Sequence, residues 1–133
     1  MSFIYSKTTN QITVSVTPKY DEELSIPDDE QYVWEYEVNI KNNGSDVVQL
    51  MRRHWVVVGI NGVMHEVAGD GVVGVQPILK PGEYFAYASN VQMNSGSGVM
   101  IGTYEMIKSG GEIMSVNVPT FSLDSPHIKR SFN

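Results

Sequence analysis

The sequence predicts an all-β fold, a sandwich of about seven strands, and three observations support this. Apolar and polar residues alternate along several segments, whereas no segment sustains the spacing of an amphipathic helix. Valine and tyrosine, which favour strands, are frequent, and charged residues make up only 18% of the chain. Turn-forming residues recur at intervals of roughly ten residues, which is typical of antiparallel sandwiches. A barrel is the alternative arrangement of the same strands.

The first two predicted strands are Gln11–Lys19 and Gln31–Lys41. In the first, Ile12, Val14 and Val16 share a face, because side chains two positions apart point the same way in a strand. The second alternates more strictly, and at a helical spacing its apolar residues would scatter around the axis. That apolar face comprises Tyr32, Trp34, Tyr36, Val38 and Ile40.

The segment between these strands, Asp21–Glu30, contains six acidic residues. We interpret it as a solvated loop. A weak site for a divalent cation is the alternative, but the carboxylate spacing does not match an EF-hand, and the glycine that such a loop requires is missing.

The third and fourth strands, Val47–Ile60 and Val63–Ala68, are predicted to form a hairpin. The alternation of the longer strand breaks around Arg52 and Arg53, which indicates a bulge. Asn61-Gly62 favours a two-residue type I′ turn, because both turn positions need a positive φ. This turn fixes the register, which is predicted to pair Val58 with His65, Val56 with Val67, and His54 with Gly69.

Three more strands follow a glycine-rich loop. The loop, Gly69–Gly82, contains four glycines and two prolines. The strands are predicted at Glu83–Ser89, Gly98–Ile107 and Glu112–Leu123. We expect Pro119 to lie at an edge or a bulge, because proline has no N–H to donate to a ladder.

One domain is expected to occupy residues 1–133, a length sufficient to bury one core. We predict that the core spans about residues 10–124, with Trp34 and Trp55 as large fillers, and that a short polar tail follows at residues 125–133.

Charge and cysteine content exclude several classes of protein. The chain carries 15 acidic and 9 basic residues, a net charge of -6, which argues against a nucleic-acid partner. With no cysteine it has no disulfide, thiolate zinc site or cysteine nucleophile. No apolar run is long enough to span a bilayer, and Met1 to Asn10 lacks the features of a signal peptide. We therefore expect a cytoplasmic protein that does not associate with membranes.

Gly69, Gly71 and Gly74 form the motif G-x-G-x-x-G. In a dinucleotide-binding fold this motif opens a helix. Pro77 and Pro81 exclude a helix here, so the dinucleotide hypothesis is rejected. The glycines retain another potential role, because glycine-rich turns can direct successive backbone N–H groups towards an anion.

The predicted hairpin brings Arg53 and His54 to the same end of the molecule as this loop, and these residues complete a candidate anion site with Gly69, Gly71 and Gly74. In the alternative interpretation Arg53 pairs with Asp70 and the glycines serve only the turn.

No catalytic set is recognisable. The chain lacks G-x-S-x-G, and His65-Glu66 does not continue into H-E-x-x-H. His54 and His65 are predicted to lie too far apart to bind one ion. We therefore expect no catalytic residues, no metal site and no cofactor, and a metal-dependent phosphate-ester hydrolase is the weakest hypothesis.

Several blocks of the chain resemble the ApaG family, and together they extend over roughly residues 10–125. The central block, His65 to Pro77, contains the specific pattern G-x-G-V-V-G-x-Q-P. The other blocks are Arg53 to Trp55, Leu79 to Glu83, Gly98 to Met106, and Val118 to Leu123.

The resemblance implies a fibronectin type III or immunoglobulin-like sandwich without an established enzymatic activity, and we expect the chain not to be an enzyme. It implies a binding or adaptor module with an unidentified protein partner and a link to cobalt and magnesium resistance. It also implies that phosphate or pyrophosphate could bind at Gly69, Gly71 and Gly74. A homodimer formed through exposed strand edges is left open.

Overall fold

The computed structural model describes residues 3–127, which form nine strands and one short 3₁₀ helix at Pro27–Asp29. The strands are β1 (Tyr5–Thr9), β2 (Ile12–Tyr20), β3 (Tyr32–Asn42), β4 (Val48–Gly59), β5 (Met64–Asp70), β6 (Ile78–Leu79), β7 (Tyr84–Met93), β8 (Ser97–Lys108) and β9 (Ile113–Asp124).

Two antiparallel sheets pack as a sandwich, consistent with the fibronectin type III and immunoglobulin-like class. One sheet has the order β1-β2-β3-β7, and the other has the order β5-β4-β8-β9 with β6 also paired to β4. The all-β prediction is confirmed, and all seven predicted strands are present. The expected strand number was too low, because β1 and β6 had been missed.

The hairpin of β1 and β2 adds a strand, Tyr5–Thr9, at the edge of the first sheet. Its turn consists of Asn10 and Gln11, with φ values of 49° and 66°. Two positive φ values between the paired residues Thr9 and Ile12 define a type I′ turn. This turn was missed because a glycine is absent at its second position.

The predicted register of the β4–β5 hairpin is wrong by one residue. The Gly59 N–H donates to the Val63 carbonyl, so the loop has three residues, and only its last residue, Gly62, has a positive φ (83°). A three-residue loop ending in a left-handed glycine is the next most common hairpin connection. Val58 therefore pairs with Met64, Val56 with Glu66, and His54 with Ala68.

Two bulges interrupt the ladders of the second sheet. One lies between Leu50 and Arg52 in β4, which confirms the predicted break. The other lies in β9, where Gly102 pairs with Val118 and Met100 with Phe121. Pro119 falls within this second bulge on the outermost strand, as its missing N–H predicts.

The core between the sheets is rich in aromatic residues. Trp34 and Trp55 are both buried, as predicted. The Trp55 ring packs edge-on against Tyr104 and Phe121 and at a tilt against Tyr36, so both sheets contribute to one cluster. Burying each such side chain contributes about 1.5–3 kcal/mol.

The acidic segment Asp21–Glu30 is a loop that contains the 3₁₀ helix. Its carboxylates are mostly at the surface, in agreement with the solvated-loop interpretation. Within residues 3–127, no three histidine, aspartate or glutamate side chains are grouped so that they could hold a metal ion.

The first residues of the predicted tail pack against the sandwich. Ser125 is buried and its N–H donates to the Gly96 carbonyl, and His127 contacts Glu22 at 3.0 Å. Residues 128–133 of the predicted tail lie outside the described range. In the part of the chain that the structure covers, no helix has the length and apolar character needed to cross a membrane.

Candidate functional site

The glycine motif forms a tight β-turn. Val72 and Val75 exchange two backbone hydrogen bonds of 2.8 and 2.9 Å, and the residues between them, Val73 and Gly74, have φ values of 43° and 83°. Two positive φ values at these positions define a type I′ turn. Gly71 also has a positive φ, and a Cβ atom there would lie 2.2 Å from the Val75 carbonyl oxygen. The clash at Gly71 thus excludes any side chain there, whereas the positive φ at Gly74 favours glycine without requiring it.

Three of the loop's N–H groups are already used within the chain. The Gly71 N–H donates to the Met51 carbonyl, the Val72 N–H to Val75, and the Val75 N–H to Val72. The predicted cradle for an anion therefore offers fewer donors than the motif suggests.

Arg53 lies beside this loop on the inner face of β4. Its Nη1 atom donates to the carbonyl oxygens of Asp70 and Gly71, both at 3.0 Å. Its guanidinium lies flat against Gly69, where a Cβ atom would come within 3.2 Å of Nη1. Arg53 does contact Asp70, as the alternative interpretation predicts, but at the main-chain carbonyl and not at the carboxylate. No ion pair between Arg53 and a carboxylate forms among residues 3–127.

His54 does not join Arg53, because adjacent residues of a strand point to opposite faces. It lies on the outer face, where its Nε2 contacts Glu66 Oε1 at 2.8 Å. Of the predicted anion-site residues, the structure thus brings Arg53 to Gly69 and Gly71, places Gly74 in the following turn without a contact to Arg53, and leaves His54 apart.

Two buried tyrosines, Tyr36 and Tyr104, and the partly buried Tyr87 lie close to the Arg53 charge, a grouping that was not predicted. The hydroxyls of Tyr87 and Tyr104 share a hydrogen bond across the two sheets. Burial raises the pKa of Tyr36, Tyr87 and Tyr104, and the nearby Arg53 charge offsets a small part of this rise. Alternation placed Tyr36 inward, but no local pattern indicates that phenols from three strands converge.

Large apolar side chains are exposed along β5, the glycine turn and β6. Val67 lies on the inner face of β5 but is 47% exposed, because the other sheet does not cover this strand. Val73 and Ile78 are 55% and 59% exposed. We call the following residues the apolar edge: Met64, Val67, Val73, Val75 and Ile78.

Val73 adds an unusual conformation to the apolar edge. A positive φ is unfavourable for a β-branched residue and costs about 1–2 kcal/mol. Its side chain is exposed, so packing within the described chain offsets little of this strain energy. Such strain tends to persist at functional positions.

Comparisons with known proteins agree with one another. Residues 22–108 match the ApaG domain family. Protein ApaG of Paramagnetospirillum magneticum is 48% identical over 130 residues, which cover 98% of this chain and 100% of that protein. Protein ApaG of Parvibaculum lavamentivorans is 48% identical over 127 residues, 96% of this chain and 98% of that protein. A solved Bordetella pertussis structure described as ApaA has a TM-score of 0.84 and 42% identity, covering 88% of this chain and 95% of that one.

Proposed function

This chain belongs to the ApaG domain family, and we propose that it is a non-enzymatic binding or adaptor module for a protein partner. The apolar edge carries the proposal. Its members are distributed along the sheet edge that β5, the glycine turn and β6 form, and exposed apolar groups along an edge are typical of interaction sites.

The strained backbone at Val73 also supports an interaction site at the apolar edge. A valine held with a positive φ at the tip of a turn gives a rigid apolar projection. A partner that covers this side chain supplies the burial that the isolated chain lacks, at about 25 cal/mol per Å² of apolar surface.

We place the module in the cytoplasm and connect it with cobalt and magnesium resistance through its partner. This connection needs no metal ligand on the chain itself.

Affinity capture with paired variants tests the proposed function. Ile78→Glu puts a charge into the apolar edge, and Ile113→Glu puts the same charge at the equally exposed start of β9. Capture is compared by mass spectrometry from cells grown with and without excess cobalt. We expect one partner to be retained by the wild-type and Ile113→Glu proteins and lost by Ile78→Glu. Equal capture by all three proteins, or no partner in any condition, contradicts the proposal.

A second candidate function is the binding of phosphate or pyrophosphate at Gly69–Gly74. It is supported by the Arg53 guanidinium, which forms no ion pair within residues 3–127, and by the Val73 and Gly74 N–H groups, which donate to no backbone acceptor there. The hydrogen bonds that the Gly71, Val72 and Val75 N–H groups already make within the chain argue against this second function, because those groups are not free to bind an anion.

Calorimetry with pyrophosphate tests this second function. If the loop binds the anion, Arg53→Ala weakens binding while Arg52→Ala, which removes the same charge from the opposite face, does not. Equal heats for the three proteins would exclude the site.

A further inference from the structure

β7 is an unprotected sheet edge. It has ten residues, none of them charged and none a proline, and it is the outermost strand of its sheet. Its pairing with β3 runs from Tyr84 to Met93 without a bulge. Proteins normally protect such an edge with charges, prolines or bulges, because its free N–H and C=O groups can pair with another strand.

The other sheet edges carry such protection. β5 contains Glu66 and Asp70. β9 has the bulge at Pro119, and β1 closes against it, since the Thr9 hydroxyl accepts the Asn117 N–H at 3.3 Å. Of the strand edges that the structure describes, β7 alone has none of these features over a comparable length.

Half of the β7 backbone faces away from the sheet. The Asn42 N–H donates to the Glu83 carbonyl at the end of the ladder. Hydrogen-bonded and non-bonded pairs alternate in an antiparallel ladder, so Ala86, Ala88 and Asn90 direct their N–H and C=O groups to the free side.

In the opposite sheet β5 extends beyond β7, so its inner face lies over this free side; we call this face, which includes His65 and Val67, the β5 roof. Tyr87 of β7 contacts Tyr104 of β8, so β7 lies over the interior of the opposite sheet, whereas β5 is the outermost strand there. The inner face of β5, which includes His65 and Val67, is exposed for this reason. A strand added beside β7 would lie beneath β5 and cover these side chains.

The inner face beside this space carries a positive charge, whereas Glu35 and Glu37 lie on the outer face of β3 opposite Asn90 and Ala88. The Arg53 guanidinium lies on the inner face next to Gly69 and pairs with carbonyls but with no described carboxylate. A second copy of β7 has no acidic side chain to offer it. Charge complementarity therefore favours an acidic segment of another protein.

We propose that β7 accepts an extended acidic segment of a partner protein as an additional strand, with one carboxylate of that segment bound by Arg53. The inference rests on the proposed binding function and names the class of partner. Main-chain hydrogen bonds would give the affinity, and Arg53 with the β5 roof would select the side chains.

A displayed library of random peptides of about ten residues, the length of β7, tests the proposal on the full chain. Each recovered peptide is also made with its acidic residue replaced by the amide, and affinities are measured by fluorescence anisotropy. We expect the amide form to bind about tenfold more weakly to the wild-type and Arg52→Gln proteins. With Arg53→Gln the two forms should differ by less than about twofold. Arg52→Gln is the matched control because it removes the same charge from the opposite face.

Peptides methylated at alternate backbone nitrogens test strand addition, and we expect them to bind at least about tenfold more weakly. Ala88→Pro should have the same effect, and if it does not fold, the methylated peptides still decide. Amide NMR shifts should locate bound peptide at β7. Failure to recover peptides, recovery without acidic enrichment, equal charge dependence in both arginine variants, or a dimer through β7 overturns the inference. Shifts confined to Val73 and Ile78 overturn it as well, but leave the proposed function standing.

Discussion

At the scale of single residues, backbone conformation and strand face decide what each side chain can do. Alternation correctly placed Trp34 in the core, and the size of Trp55 did the same for that residue. Alternation also separates Arg53 from His54, because neighbours in a strand face opposite ways. Sequence could not show that Arg53 binds the carbonyls of its own loop, since those contacts depend on how the turn folds back.

Two glycines of the motif should respond very differently to substitution. Gly71→Ala places a Cβ atom 2.2 Å from a backbone oxygen, so we expect a loss of about 3 kcal/mol or more in the free energy of unfolding. At Gly74 no atom lies within 4 Å of the added Cβ, so Gly74→Ala costs only the left-handed strain, about 1 kcal/mol. Urea denaturation measures both, and equal losses would contradict the described turn.

At the scale of elements, strong alternation predicted strands well, and turns decided what was missed. β1 was missed because the Asn10-Gln11 turn contains no glycine, and β6 because two residues show no period. The β4–β5 register was predicted wrongly by one residue because Asn61-Gly62 can occur in a two-residue or a three-residue loop. Hydrogen bonds around Gly59, rather than propensity, select the longer one.

The β1–β2 turn offers a stabilising substitution. Gln11 has a φ of 66°, which glycine adopts without strain, and Asn-Gly is a preferred type I′ pair. We expect Gln11→Gly to raise the free energy of unfolding by roughly 0.5–1 kcal/mol. Gln11→Ala is the control, because it shortens the side chain without relieving the strain. Chemical denaturation that ranks the alanine variant at or above the glycine variant would refute this account.

At the scale of the whole molecule, the sandwich was predictable because its two faces repeat along every long strand. The offset of the two sheets was not, because it depends on contacts such as Tyr87 with Tyr104, which come from distant parts of the chain. The exposed inner face of β5 and the unpaired edge of β7 follow from that offset, so neither could be predicted from the sequence.

The buried tyrosines predict a loss of stability at alkaline pH. Burial raises the pKa of Tyr36, Tyr87 and Tyr104 in the folded protein. The unfolded chain therefore loses these protons first, so stability that is present below about pH 10 declines above it, by up to about 1.4 kcal/mol per pH unit for each tyrosine.

Denaturation between neutral pH and about pH 11 checks this slope. Tyr104→Phe should make the decline shallower, whereas the exposed Tyr84→Phe should leave it unchanged. A slope that is the same in both variants and in the wild-type protein would show that this cluster does not control alkaline unfolding.

The most direct test of the account is amide hydrogen exchange on the full chain, alone and with its captured protein partner. If the chain is a binding module, its partner should dock on the side of the sandwich that β5, the Val72–Val75 turn and the free edge of β7 form. Amide exchange should then slow in β5, in that turn and at the free-edge amides of β7. Protection confined to the outer faces of the two sheets, with these segments unchanged, would contradict it.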